Sequence, residues 1–540
     1  MKRIEDFPVD PALMRELTEE CAKRFGPLEV SSKKYVYVNL SMVRLQTVWF
    51  MPKLIYARAI CEACGAGMIV LTWKENELFT KLVEAFGGEH VALDTMCRKD
   101  PAALLATFGR ACSVYMKGSD VEGFRKMKLW GLPVGRVMYE DILRTSSLST
   151  IRTLRDKTVM KKTIHILWMC HALKHYFKKK PPLFSVGDDI AYHEGIQHAM
   201  FKQAGAEVYC MSDKAEAMVL FDSEGRVIRR GEMRHRRLAA LIDRVDYDEE
   251  KALKALEDRF HGKIPTVWDR GAFVGKKVMG REELMKQLGL DPAKKNIVIM
   301  AHTFTDAVFN YGELYFRDYY DWTEKTLRIA SETKDVNWIL KPHPSRKSYN
   351  ESTDSIEDMY RRYRRDNIFL MPDDVSSESL RGFADCVITI GGNAGAEFAC
   401  CGIPAVIVGF PYYRGFGYTL EPKDYSEYEK LLRGISSIEP LTEEQTRMAR
   451  KVFYVNGSSE MKSLSFQDEP ALLLKELYGE MIDAMAVEYY ESNKGTKKFN
   501  DRITKELTKY MASHDMRQSE YFRRGEQRGR EATWEYGKRR

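Results

Sequence analysis

The stretch Val387-Ile388-Thr389-Ile390-Gly391-Gly392-Asn393-Ala394-Gly395-Ala396-Glu397 decides how this chain is read. Four β-branched residues in a row predict a buried strand. Two glycines then let the backbone turn tightly out of it. Asn393 is a good N-cap for a helix predicted from Ala394 to Cys401, and Pro404-Ala405-Val406-Ile407-Val408 reads as the next strand. Strand, tight turn, helix and strand make the repeating unit of a parallel sheet covered on both faces.

The same alternation extends upstream. Strands are predicted at Asn296–Ala301, Val336–Leu340 and Ile368–Met371, with helices at Tyr319–Ser331, Ser355–Arg365 and Ser376–Phe383. This makes a block of five strands. A second block opens the chain, with strands at Tyr35–Leu40, Gly67–Thr72 and His90–Leu93, resuming at Leu183–Val186 and Ala206–Cys210. Between these parts, residues 101–180 read as largely helical. Residues 213–280 read as irregular and charged, densest at Arg234-His235-Arg236-Arg237. The expected fold is α/β: two Rossmann-like domains facing across a cleft, with added helical segments and a helical C-terminal tail. The expected boundaries are 1–290, 291–435 and a basic extension at 436–540.

Composition narrows the class. With 540 residues, 44% hydrophobic and 30% charged, the chain has the balance of a folded multidomain protein. No apolar run follows the basic pair at the N-terminus, so no signal peptide is expected, and no stretch is long and apolar enough to span a bilayer. The ten cysteines include one lone CxxC, Cys61 and Cys64, without a second pair to complete a zinc site. They are expected to be reduced, in a cytoplasmic compartment. Nearly all of the formal charge of +7 falls in the last fifty residues, which suits peripheral contact with an anionic membrane at its inner face. No specific nucleic acid is expected.

Ligands of open sheets bind beyond the carboxyl ends of the strands. Three loops there carry unusual residues: His302-Thr303-Phe304-Thr305-Asp306, Lys341-Pro342-His343-Pro344-Ser345, and the Gly391–Glu397 turn. Backbone amides at a helix start suit a phosphate. Lys341 and His343 add positive donors, and a carboxylate at Glu397 suits the paired hydroxyls of a ribose. His302, Thr303, Lys341, His343, Gly391, Gly392, Asn393, Ala394, Gly395 and Glu397 are therefore the candidate nucleotide-binding set. No dinucleotide or Walker-type motif is present. His193 and His198 lie five apart on a helix, which is not metal-ligand spacing, and read as structural.

Lys341-Pro342-His343-Pro344, the GGNAGAE turn, Gly402-Ile403-Pro404-Ala405-Val406 and Gly409–Gly417 together resemble the donor domain of GT-B glycosyltransferases. Within these the segment is most similar to bacterial capsule and surface-polysaccharide biosynthesis proteins, a group that includes Kdo transferases. The resemblance is good over 281–435 and weaker over 183–211, on Gly187-Asp188-Asp189, Tyr192 and Gly195-Ile196. It implies that His343 contacts the phosphate of a nucleotide-sugar donor, CMP- or other NDP-linked, and that Glu397 meets the ribose. Pro372-Asp373-Asp374 would flank the base, and Tyr412, Tyr413 and Arg414 would line the sugar pocket. Asp188 or Asp189 would deprotonate the acceptor, a surface or lipid-linked glycan. Helix dipole and cations would stabilise the departing phosphate, so no cofactor and no obligatory metal is expected. Glu397 has no carboxylate partner at Ala405, which leaves inverting and retaining outcomes both open. Rival readings on the same fold are a CDP-polyol phosphotransferase, a UDP-sugar 2-epimerase and a non-catalytic binding protein.

Overall fold

The computed structural model describes residues 9–41, 47–187, 190–211, 217–219, 230–263, 273, 275–312, 314–346, 354–458, 461 and 495–538. It divides into two compact units. One comprises residues 1–141, 153–228 and 463–540, and the other 142–152 and 229–462.

The first unit is built on six strands: β1 (Tyr35–Asn39), β2 (Gly67–Thr72), β3 (Gly88–Ala92), then, after a two-strand ribbon of β4 (Lys128–Leu129) and β5 (Leu132–Pro133), β6 (Pro182–Gly187), β7 (Glu207–Met211) and β8 (Ala217–Val219). Their order is β3-β2-β1-β6-β7-β8, parallel except for the antiparallel β7–β8 edge. Helices cover the sheet because its strands are apolar on both faces; every described residue of β2 and β6 is buried. Arg58 is buried too. Its guanidinium donates to the carbonyls of Phe25, Gly26 and Phe86, at the ends of the Pro11–Phe25 and Glu77–Ala85 helices, where a cation offsets two helix dipoles.

The second unit repeats the plan with β9 (Asn296–Met300), β10 (Asn337–Lys341), β11 (Ile368–Leu370), β12 (Cys386–Thr389), β13 (Ala405–Ile407) and β14 (Thr419–Leu420). The order is β11-β10-β9-β12-β13-β14, all parallel. Each unit is the doubly wound α/β layer expected, with order reversing beside its first strand. In the second unit that reversal lies between β9 and β12.

Three expectations need correction. The charged region 213–280 contains two regular helices, Arg230–Leu241 and Glu249–Phe260, whose Leu238, Leu256 and Phe260 belong to the core of the second unit. A sixth strand, β14, follows the five predicted. The boundaries also differ: residues 229–290 belong with the second sheet, and so does the Glu443–Asn456 helix. The C-terminal helices Gly495–Ser513 and Glu520–Lys538 are not an appendage. Leu507, Met511, Tyr521 and Phe522 lie in the core of the first unit.

Candidate functional site

The site assembles at the carboxyl edge of the second sheet, where β9 sits between β10 and β12. The loops leaving these three strands are joined by hydrogen bonds. The Ala301 amide donates to the Lys341 carbonyl at 3.0 Å, tying the β9 loop to β10. His302 Nε2 lies 3.1 Å from Thr389 Oγ1, tying it to β12. That hydroxyl also accepts the Gly392 amide at 3.2 Å, so one threonine fixes the histidine and the glycine turn together.

The basic side chains here are held in unusual states. Burial drives the pKa of His302 down to about 3, with the charge of nearby His343 adding to the effect, so its ring is neutral. It packs against the rings of Tyr319, Tyr311 and Trp322. Lys341 is 5% exposed. Its ammonium donates to the Val375 carbonyl, and burial, reinforced by Lys276 and opposed by Asp373, brings its pKa down to about 7. On His343, Nδ1 accepts the Ser345 amide at 3.2 Å, which leaves Nε2 as the donor of the ring. The hydroxyls of Thr303 and Thr305 are buried and have no partner among the described residues. Such groups are ordinarily satisfied, and an external ligand or ordered water would supply the missing bonds.

Packing explains the glycine turn. A Cβ on Gly391 would come within 2.6 Å of the Tyr311 ring, and one on Gly395 within 2.3 Å of the Tyr413 hydroxyl. The short helix Ala394–Ala399 begins there with Asn393 exposed and making no side-chain cap, contrary to the role expected of it. The amides of Gly395, Ala396 and Glu397 are already bonded to Gly392 and Asn393 carbonyls. Among the described contacts of this turn, the amides of Gly391, Asn393 and Ala394 have no acceptor.

Other candidate residues stand differently from expectation. Glu397 is buried and ion-paired with Arg259 from the Glu249–Phe260 helix, a residue that the reading of the sequence missed. Tyr413 is fully buried with its hydroxyl donating to the Gly392 carbonyl at 2.6 Å, and Tyr412 is buried under Arg234. Both act as packing for the turn rather than lining a pocket. Arg414 bonds the Gly409 carbonyl and Glu421, bracing the loop after β13. Asp373 takes a bidentate bond from Arg346, and Asp374 pairs with Lys277.

Comparison with known proteins bears on this edge of the sheet. Residues 276–435 match a family model described as capsule polysaccharide biosynthesis protein, a span of less than half the chain. The matched span lies within the second unit. No curated protein matches. Among solved structures, the chain is similar to a Thermosulfurimonas dismutans KpsC, described as a beta Kdo 2,4 transferase, at 13% identity over 51% of this chain and 80% of that one, with a TM-score of 0.29. A second KpsC structure from that organism, described as a beta Kdo 2,7 transferase, matches at 16% identity over 48% and 79%, with a TM-score of 0.27. Anabaena HepE in complex with UDP and glucose matches at 10% identity over 82% and 100%, again at 0.27. At such scores the architecture rests on the chain's own two sheets. The matched span contains all three loops that carry His302, His343 and Glu397. Arg259 lies outside it.

In the first unit, Asp188 and Asp189 lie outside the described residues. Just downstream the backbone is strained at Tyr192, whose φ is 59° and whose amide bonds Glu140. His193 pairs with Asp141 at 2.7 Å beside the Trp73 ring. His198 lies 3.6 Å from Glu194 and from Cys210. Both histidines are buried in these contacts, and the described residues contain no group of His, Cys, Asp and Glu arranged to hold a metal.

Proposed function

We propose that the chain is a GT-B glycosyltransferase of capsule or surface-polysaccharide assembly, with its nucleotide-sugar donor bound by the second unit. The observation that supports this most directly is the bond between His302 and Thr389 across the point where strand order reverses. Open α/β sheets bind their ligands there, and here that point gathers two histidines, a buried lysine and open amides.

In this proposal the Nε2–H of His343 and the Lys341 ammonium hold the donor phosphates, and the Asn393 and Ala394 amides complete their contacts. Neutral His302 supplies a hydrogen bond rather than a charge. Glu397 reaches the ribose only while sharing its carboxylate with Arg259. The negative charge that develops as the sugar departs falls on these fixed donors, which need no rearrangement. The acceptor, a surface or lipid-linked glycan, is deprotonated by Asp188 or Asp189. The enzyme works in the cytoplasm, without a cofactor or obligatory metal.

Thermal-shift titration with CMP, CDP, UDP and GDP tests the donor assignment. The correct nucleotide stabilises by about 2.7 kcal/mol at a hundredfold excess over its Kd, and His343→Ala removes that shift. If the chain turns over a UDP-sugar without any acceptor, it is an epimerase. If His343→Ala leaves every nucleotide shift intact, the phosphate site is elsewhere.

A further inference from the structure

The Pro101–Met116 helix of the first unit is fastened on one side only. Ala103, Thr107, Ala111 and Val114 are buried against the protein. The opposite side carries Leu105 at 74% exposure, Phe108 at 50%, Tyr115 at 49% and Met116 at 72%, with Cys112 also exposed. At 100° per residue these five fall in one stripe along the outward face. An outward helix face is ordinarily its charged face, yet Arg110 is the single charged residue within the sixteen. Most of the large exposed hydrophobic side chains among the described residues lie on this one helix.

Charge collects instead at the two ends. Arg98 and Lys99 precede the helix; Lys117, Lys126 and Lys128 follow it, and the Arg155 guanidinium lies 5.8 Å from the centre of the Tyr115 ring. From Arg98 to Lys128 the chain has seven Lys and Arg against three Asp and Glu. All three acids are engaged, Asp100 with His175, Asp120 with Lys117, and Glu122 with Arg125 and Lys126, and Arg98 pairs with Asp94 just upstream, which leaves an excess of four cations over this stretch. The patch is therefore apolar in the middle and cationic at its margins.

We propose that this face docks onto an anionic lipid bilayer, with Leu105, Phe108, Tyr115 and Met116 entering the headgroup–acyl boundary and the flanking cations meeting lipid phosphates. The chemistry fits both halves of the patch: apolar side chains gain from leaving water, and the cations gain from the negative surface potential. A second copy of the chain fits poorly, because a symmetric contact would set two cationic margins against each other. The helix lies along the membrane plane, since no described helix is long and apolar enough to cross one. This docking does not depend on the proposed transfer reaction. It also places the contact on a different surface from the basic C-terminal helices.

The test is sedimentation of the full chain with phosphatidylcholine vesicles, with and without phosphatidylglycerol. Binding is expected only with phosphatidylglycerol, and Leu105→Glu/Phe108→Glu should weaken it at least about tenfold. Both positions are at least half exposed, so the variant should keep the parent's Tm. A variant with Lys498, Arg502, Lys505 and Lys509 all changed to Ser should bind as the parent does. An environment-sensitive dye on Cys112 should shift to the blue on binding. The proposal is overturned if the parent ignores phosphatidylglycerol, or if Leu105→Glu/Phe108→Glu binds undiminished. It is overturned equally if light scattering shows a parent dimer that this variant dissociates, which would make the occupant a second copy.

Discussion

Lys341 sits where a lysine destabilises the fold. With its pKa brought from 10.5 to about 7, the folded chain binds that proton less readily than the unfolded chain at every pH below about 10, and the deficit is full below 7. Lys341→Met should therefore raise Tm at neutral pH by about 2–4 °C while abolishing nucleotide binding, a pairing expected of a residue kept for function. Nucleotide affinity of the parent should fall as pH rises through 7, because only the ammonium attracts phosphate. A calorimetric titration in buffers of different ionisation enthalpy should show a proton taken up on binding. His302 has the opposite profile from an ion-paired histidine. Its depressed pKa means that the unfolded chain takes a proton near 6.5 and the folded chain does not until about 3. Its contribution is intact above 6.5 and is lost as pH falls through that window, so His302→Gln should flatten the decline of urea stability between pH 6.5 and 4. An unchanged slope would mean that the imidazole titrates freely.

At the scale of elements, the Glu249–Phe260 helix is the piece the sequence concealed. Its buried side is only Ala252, Leu256 and Phe260, a four-residue repeat submerged among Glu, Lys, Asp and Arg, so periodicity alone does not separate it from a solvated loop. Most of the strands are legible because they are short apolar runs, rich in β-branched or aromatic residues, between turn residues, and β14 escapes notice because two residues hold no pattern. Within the site, His302, Lys341, His343 and the glycines are legible as residue types at the ends of strands. The ion pair of Glu397 with Arg259 is not, since the two lie 138 residues apart in sequence. That pair carries its own prediction. Arg259→Leu removes the cation paired with a buried carboxylate and should cost roughly 3–5 kcal/mol, whereas Arg259→Leu/Glu397→Gln should recover part of the loss. Denaturant midpoints of the two single variants and the double give the coupling directly.

For the whole molecule, the chain crosses between its two units four times, near residues 141, 152, 228 and 462. The sequence suggests a helical, basic extension at 436–540. The tail is instead structural: Gly525 and Gly529 pack so closely on the Thr47–Cys64 helix that a Cβ on either would come within 2.7 Å of Ala59 or Ala63. Removing residues 495–540 should therefore collapse the first unit and send the product into the pellet, while replacing the exposed cations of that segment with Ser should leave solubility and Tm unchanged. Soluble, cooperative unfolding of the truncated chain would contradict this. The same close fit orders events during synthesis. The sheet of the first unit has no cover over its Ala59–Ala63 ridge until the Glu520–Lys538 helix leaves the ribosome, whereas residues 229–462 can close their core beforehand. The later-made unit is thus free to finish first, and the earlier one waits, open to chaperones, until residues 520–538 have been made.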